Sequence, residues 1–204
     1  MNRVGSASAV SIERLRTPRL LLQAPRTDLA RSVADFLERN QAHFAPWDPP
    51  AHPEVCSPAF QRAALRDAAR AFADGSAYRY WLSPVEAPQR VVGSVHFSAV
   101  SRGAFHSATL GYSLDTAVVG AGLMTEALRR AIAAMFSPAV NLHRIQASWR
   151  PDNRRSGAVL QRLGFHDEGL ARDYLFIDGA WRDHRIFALL NPVFVAPALW
   201  SAAR

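Results

Sequence analysis

Apolar positions along the chain follow two rhythms, and the changes between them mark the elements. Leu20 to Gln23 is a short apolar run and reads as a strand. From Thr27 or Asp28 the period lengthens: Leu29, Val33, Phe36 and Leu37 recur at helical spacing and define one buried face. The stretch HFAPWDPPAHPEVCSP, 43–58, breaks that rhythm with closely spaced prolines and reads as an ordered loop. Ser57 and Pro58 make an N-cap and first-turn pair for a helix through Phe60, Ala64, Leu65, Ala68 and Phe72, which Gly75 can close.

Aromatic and branched residues then take over. Tyr78 to Leu82, Val91 to Ser98 and Thr109 to Leu114 suit an antiparallel meander. Leu123 to Phe136 carries apolar pairs at 123/124, 127/128, 131/132 and 135/136, a broad helical stripe stopped by Ser137 and Pro138. Ile145 to Trp149 is a strand, and Ser156 to Leu163 a short helix with Gly164 at its C-terminal cap. The last segment, YLFIDGAWRDHRIFALL, is a hairpin turning on Asp178 and Gly179. A strand, helix, strand unit from Thr109 to Trp149 requires a parallel pair, whereas the meander before it is antiparallel. The predicted fold is therefore α+β in three layers: one mixed, mostly antiparallel sheet of about seven strands with helices on both faces. Residues 1–11 read as a flexible leader, 12–192 as a single domain and 193–204 as a C-terminal tail.

Composition narrows the chemistry. The 204 residues hold 24 basic and 17 acidic side chains, for a net charge of +7, and every basic residue is arginine. Without lysine there is no Walker A lysine, Schiff base or lysine nucleophile. One cysteine, Cys56, forbids an intrachain disulfide and a multi-cysteine zinc site, and it suits a reducing, cytoplasmic setting. The histidines show no HxH or HExxH spacing, so no metal is expected. No apolar run approaches the length of a membrane span. The positive balance favours a polyanionic ligand or a nucleic-acid-rich setting.

AVVGAGLMTEAL, 117–128, sets Gly120 and Gly122 before the strongest helix. A helix start with unpaired N–H groups can hold phosphate, and glycine allows close approach; tight helix packing is the other reading. The third glycine of a dinucleotide fingerprint is missing, since position 125 is Thr125.

Two further segments extend the pattern. LGYSLDTAVVGAGLMTEAL together with ASWRPDNRRSGAVLQRLGF resembles the GNAT superfamily of acetyl-CoA-dependent N-acetyltransferases. ERNQAHFAPWDPP, FSAVSRGAFHSATLGYSL, HRIQASWRPDNRRSG and LQRLGFHDEGLARDYLFIDGAWRDH are similar, in order and spacing, to its RimJ/RimL-type branch of ribosomal-protein-alanine N-acetyltransferases, across about residues 13–190. The resemblance implies the GNAT acyl-CoA N-acyltransferase fold and direct acetyl transfer from acetyl-CoA in a ternary complex. Its acceptor would be a protein N-terminus, an alanine of a small-subunit ribosomal protein.

By the same resemblance, Tyr112, Ser113, Leu114, Val119, Gly120, Ala121, Gly122, Leu123, Met124, Thr125, Asn153 and Ser156 hold the cofactor, Ser156 protonates the leaving thiolate, and Phe44, Trp47 and Tyr174 meet the peptide. Helix capping is the competing role for Asn153 and Ser156. The glycine turn departs from the family in its flanks, because Ala117, Val119 and Ala121 stand where polar or basic residues are usual. Weaker cofactor binding follows, offset if Arg154 or Arg155 reaches the phosphates. The usual glutamate after the Gly-Phe pair is Leu175 here, leaving Tyr174, Asp173 and Tyr112 as candidates to assist the amine. The tyrosine other members place before Leu-Gly-Phe is Leu160, which favours Ser156 as the acid. Backbone N–H groups at the end of Thr109 to Leu114 are the expected oxyanion donors. Ribosome association, a monomer or homodimer, another amine acceptor, and a CoA-binding module with weakened catalysis all remain open at this point.

Overall fold

Pairing between neighbouring strands builds most of the sheet, as the meander predicts. In the computed structural model, which describes residues 12–201, the strands are β1 (Arg14–Arg16), β2 (Leu20–Gln23), β3 (Tyr78–Pro84), β4 (Gly93–Ser101), β5 (Ser107–Leu114), β6 (Arg144–Trp149), β7 (His166–Ile177) and β8 (Ala180–Leu190). They form one sheet in the order β1-β2-β3-β4-β5-β6-β8-β7, antiparallel except for the parallel pair β5 and β6. The sheet has eight strands rather than about seven. The additional one, β1, buries only Leu15 between two exposed arginines, and three residues are too short to register as a period. The leader expected over 1–11 lies outside the described residues.

Helices α1 (Ala30–Phe44), α2 (Pro58–Asp74), α3 (Leu123–Phe136), α4 (Arg154–Arg162) and α5 (Ala198–Ser201) complete the chain. The apolar stripe of α3, with Leu160 of α4, packs on one sheet face against Tyr80, Val95, Leu110 and Ile145. On the other face Leu29, Val33 and Phe36 from the α1 segment and Leu65 of α2 enclose Trp81 of β3. Ser57 Oγ accepts from the Phe60 N–H, Pro58 opens α2 and Gly75 closes it at φ 75°. The β7–β8 hairpin turns on Asp178 and Gly179, both at positive φ as a tight two-residue turn requires. Beyond β8 the chain folds back, and Phe194 and Trp200 pack against His106 at ring separations of 5.2 and 5.7 Å.

The parallel pair carries the feature that matters most. β5 and β6 pair only from Ser107 with Arg144 to Leu110 with Ala147. Past that point each strand continues with its outer neighbour, β4 or β8, and the two separate. One edge of Gly111 to Leu114 is thereby left without a ladder partner, in a wedge within the sheet.

Candidate active site

The wedge opens into a cleft of about 990 Å³ walled by the end of β5, the glycine turn, the starts of α3 and α4, and the loop after α1. Of the residues singled out in the sequence, Phe44, Trp47, Tyr112, Ser113, Leu114, Val119, Gly120, Gly122, Leu123, Met124, Thr125, Asn153 and Ser156 line it.

Both glycines of the turn have positive φ, 91° at Gly120 and 76° at Gly122, so the backbone itself requires them. A Cβ on Gly120 would meet nothing within 4 Å. Conformation therefore explains the two glycines, and the open space beside Gly120 belongs to the cleft. Gly122 caps α3 without any side chain bonding the first-turn N–H groups, and Leu123, Met124 and Thr125 line the cleft at that end. An uncapped helix start carrying partial positive charge fits a phosphate.

Long-range contacts that no local pattern shows hold the turn in place. Arg39 of α1 pairs with Asp115 at 2.7 Å, and Asn40 Oδ1 accepts from the Thr116 N–H at 2.9 Å. Burial acts to raise the Asp115 carboxyl, but the Ala117 N–H and the Arg39 guanidinium hold it below the usual carboxylate range. At the far side Arg19, just before β2, donates from Nη1 to the Ala121 carbonyl at 2.9 Å and pairs with Glu126 at 2.6 Å. Glu126 is a carboxylate in the first turn of α3, and its arginine partner offsets a charge that would repel an anion there. Ala121 itself is not part of the cleft wall; its carbonyl serves Arg19.

Across the wedge, Tyr112 Oη lies 2.7 Å from Ser156 Oγ and donates to the Ser156 carbonyl at 3.1 Å. Burial pushes the phenol up to about 12 against the opposing Ser156 hydrogen bond, so it keeps its proton throughout the neutral range. Helix α4 begins at Arg154, two residues earlier than predicted, and Asn153 caps it by accepting from the Ser156 N–H at 3.2 Å. Capping and cleft lining thus coincide in Asn153. Arg154 and Arg155 line the cleft with Arg129 and Arg162, a cationic rim of which Arg129 and Arg162 had no signal in the sequence.

The loop after α1 is strapped to the opposite wall. Arg150, just past β6, stacks over Trp47 at 5.2 Å, donates to the Pro46 carbonyl and pairs with Asp152 at 2.6 Å. Trp47 therefore both anchors the loop and faces the cleft. His43 and Asp48 line the same side and were missed, since nothing in their spacing distinguishes them. Burial raises the Asp48 carboxyl, with His43 opposing.

Tyr174 is not among the cleft-lining residues. It stands on β7, the outermost strand, where pairing is irregular between Ala171 and Leu175, and its ring packs 5.5 Å from His184. Among the described residues no three His, Cys, Asp or Glu side chains gather as a metal site, and no helix is long and apolar enough to cross a membrane.

Comparison with known proteins fits this geometry. Residues 19–166 match the family described as an acetyltransferase (GNAT) domain. The chain is 41% identical over 189 residues to the [ribosomal protein uS5]-alanine N-acetyltransferase of Escherichia coli (strain K12), covering 92% of this chain and 96% of that one. The crystal structure of ribosomal-protein-S5-alanine acetyltransferase from Vibrio fischeri superposes with a TM-score of 0.86 at 31% identity, over 90% of this chain and 99% of that one. Mycobacterium smegmatis RimJ in complex with CoA-disulfide superposes with a TM-score of 0.77 at 33% identity, over 94% and 93%.

Proposed function

Since the chain belongs to the GNAT acetyltransferases, which use acetyl-CoA, we propose that its acceptor is the N-terminal α-amine of a protein, an alanine of a small-subunit ribosomal protein. The observation that carries the reading is the Tyr112–Ser156 pair across the wedge from an uncapped helix start, within a chain alike over nearly its full length to enzymes of that description. A cytosolic setting is part of the same proposal.

Acetyl-CoA supplies an acetyl group on a thioester, so that attack by a neutral amine forms the amide C–N bond while the C–S bond breaks and a thiolate leaves. The glycine turn and the N–H groups opening α3 suit its pyrophosphate, and the arginine rim its remaining phosphate. The unpaired edge of Gly111 to Leu114 offers backbone N–H groups for the developing oxyanion. Ser156 is suited to hand a proton to the thiolate: when Tyr112 donates to its Oγ, the serine proton is free to turn into the cleft. Tyr112 has one proton, shared between the Ser156 carbonyl and Oγ, and, kept protonated, it acts as a donor to Oγ whenever that proton turns from the carbonyl, rather than as an acid. An N-terminal amine has a pKa near 8 and is about a tenth neutral at pH 7, whereas a lysine amine near 10.4 is almost wholly charged. An α-amine therefore needs only modest assistance.

The test is labelled acetyl-CoA with short peptides beginning Ala, Ser or Lys. Transfer confined to an N-terminal alanine supports the reading. Equal transfer to free small amines, or binding of acetyl-CoA with no transfer, contradicts it.

A further inference from the structure

Two carboxylates line the cleft, Asp48 and Asp152. Asp152 is committed to Arg150 at 2.6 Å. Asp48 has no guanidinium partner among the described residues and remains open to solvent at the cleft mouth. Its backbone is nonetheless held. The Asp48 N–H donates to the Phe44 carbonyl at 3.0 Å, continuing the end of α1, and the preceding Trp47 is clamped beneath Arg150. That clamp ties the loop to the end of β6, the wall from which α4 and Ser156 follow.

The rest of the cleft is hostile to a cation. Arg129 from α3 and Arg154, Arg155 and Arg162 from α4 line it, and Arg150 lies against the loop. His43 from α1 and Tyr112 from β5 are the other ionisable groups facing it. An acceptor that arrives as an ammonium ion needs one anion at its end of the cleft, and Asp48 is the carboxylate left free to provide it.

Resting on the N-terminal reading above, we propose that Asp48 is a catalytic residue that pairs with the acceptor's α-ammonium and takes its proton. The ammonium gives one proton to the Asp48 carboxylate, and the neutral amine then attacks. The second N–H proton, released as the amide forms, accounts for the one the thiolate gains by way of Ser156. Asp48 returns its proton to solvent, leaving amide, thiol and one proton. Although Asp48 reaches solvent, partial desolvation in the cleft acts to raise its carboxyl against the charge of His43, which narrows the gap to an amine of pKa near 8.

The experiment is kcat/KM for an alanine-led peptide against pH for the wild type, Asp48→Asn, Asp48→Glu and His43→Gln, with acetyl-CoA affinity measured alongside by calorimetry. Asp48→Asn is expected to lose about tenfold or more near pH 7 and less than about threefold at pH 9, where the amine is already neutral, with acetyl-CoA affinity unchanged. Asp48→Glu is expected to recover most of the loss. An equal loss at both pH values, no loss at all, or the same pH pattern on His43→Gln with Asp48→Asn silent overturns the role of Asp48 alone. Failure of the wild type to acetylate the peptide at any pH overturns the N-terminal reading, and this role with it.

Discussion

Replacing Gly157 by alanine sets two effects of known size against each other. Gly157 lies in α4 directly after Ser156, and a Cβ there would stand 2.7 Å from both Cζ2 and Cη2 of Trp149 and 2.9 Å from its Cε2. Comfortable carbon contacts lie near 3.5 to 4.0 Å, so the indole or the helix must move. Trp149 is poorly placed to yield, since its ring packs edge-on to Phe187 at 5.9 Å and its Nε1 is already buried without a partner. Overpacking of this kind costs about 1–3 kcal/mol, whereas glycine to alanine within a helix gains about 1 kcal/mol. The balance is a net loss of up to about 2 kcal/mol, read as a lower urea midpoint with unchanged m-value. The displaced α4 also carries Ser156 off its 2.7 Å contact with Tyr112, so turnover should fall with stability. In a Trp149→Phe background, which removes the benzo ring, the same substitution should be neutral or stabilising by up to about 1 kcal/mol. A gain of about 1 kcal/mol from Gly157→Ala in the wild-type background would mean instead that helix propensity outweighs the contact with Trp149.

Ser156→Ala should lower kcat by about ten- to a hundredfold and leave KM for acetyl-CoA within about twofold; an unchanged kcat removes the serine from proton transfer. Val119→Gln restores a polar flank to the glycine turn and should tighten acetyl-CoA binding severalfold by calorimetry, whereas unchanged affinity would mean that the backbone and Arg19 already suffice. His96, between Arg79 and Gly111 in the sheet, is pushed down to about 4, by burial first and then by the charge of Arg79. The unfolded chain then binds more protons between its ordinary value near 6.5 and about 4, so stability falls as pH falls through that window. His96→Gln should flatten that decline, which accounts for at most about 3 kcal/mol, in denaturant titrations from pH 7 to pH 4.

Elements with a complete local code were legible in the sequence, and contacts that close over long separations were not. Ser57 with Pro58, Gly75, the paired apolar stripe of α3 and the Asp178–Gly179 turn each carry their signal within a few residues, and each appears where predicted. The strand β1 offered one alternation and escaped notice. GxG before a helix was ambiguous by itself; the structure resolves it into two backbone demands and one open face toward the cleft. The supports of that turn, Arg19 with Glu126 and Arg39 with Asp115, join residues 107 and 76 positions apart. Asp48 is distinguished only by what surrounds it, because one cleft carboxylate has an arginine and the other does not. Tyr174 shows the converse. The resemblance points to it as the neighbour of Leu175, but the sheet order carries β7 to the outer edge, beyond the cleft wall.

The cleft is built to present an acetyl thioester to the α-amine of a protein. Site-resolved mass spectrometry tests this on an alanine-led peptide that also contains an internal lysine, after incubation with the protein and acetyl-CoA. One acetyl group is expected on the N-terminal nitrogen, with the lysine unmodified. Acetylation of the lysine instead, or of the same peptide when its N-terminus is blocked beforehand, would contradict it.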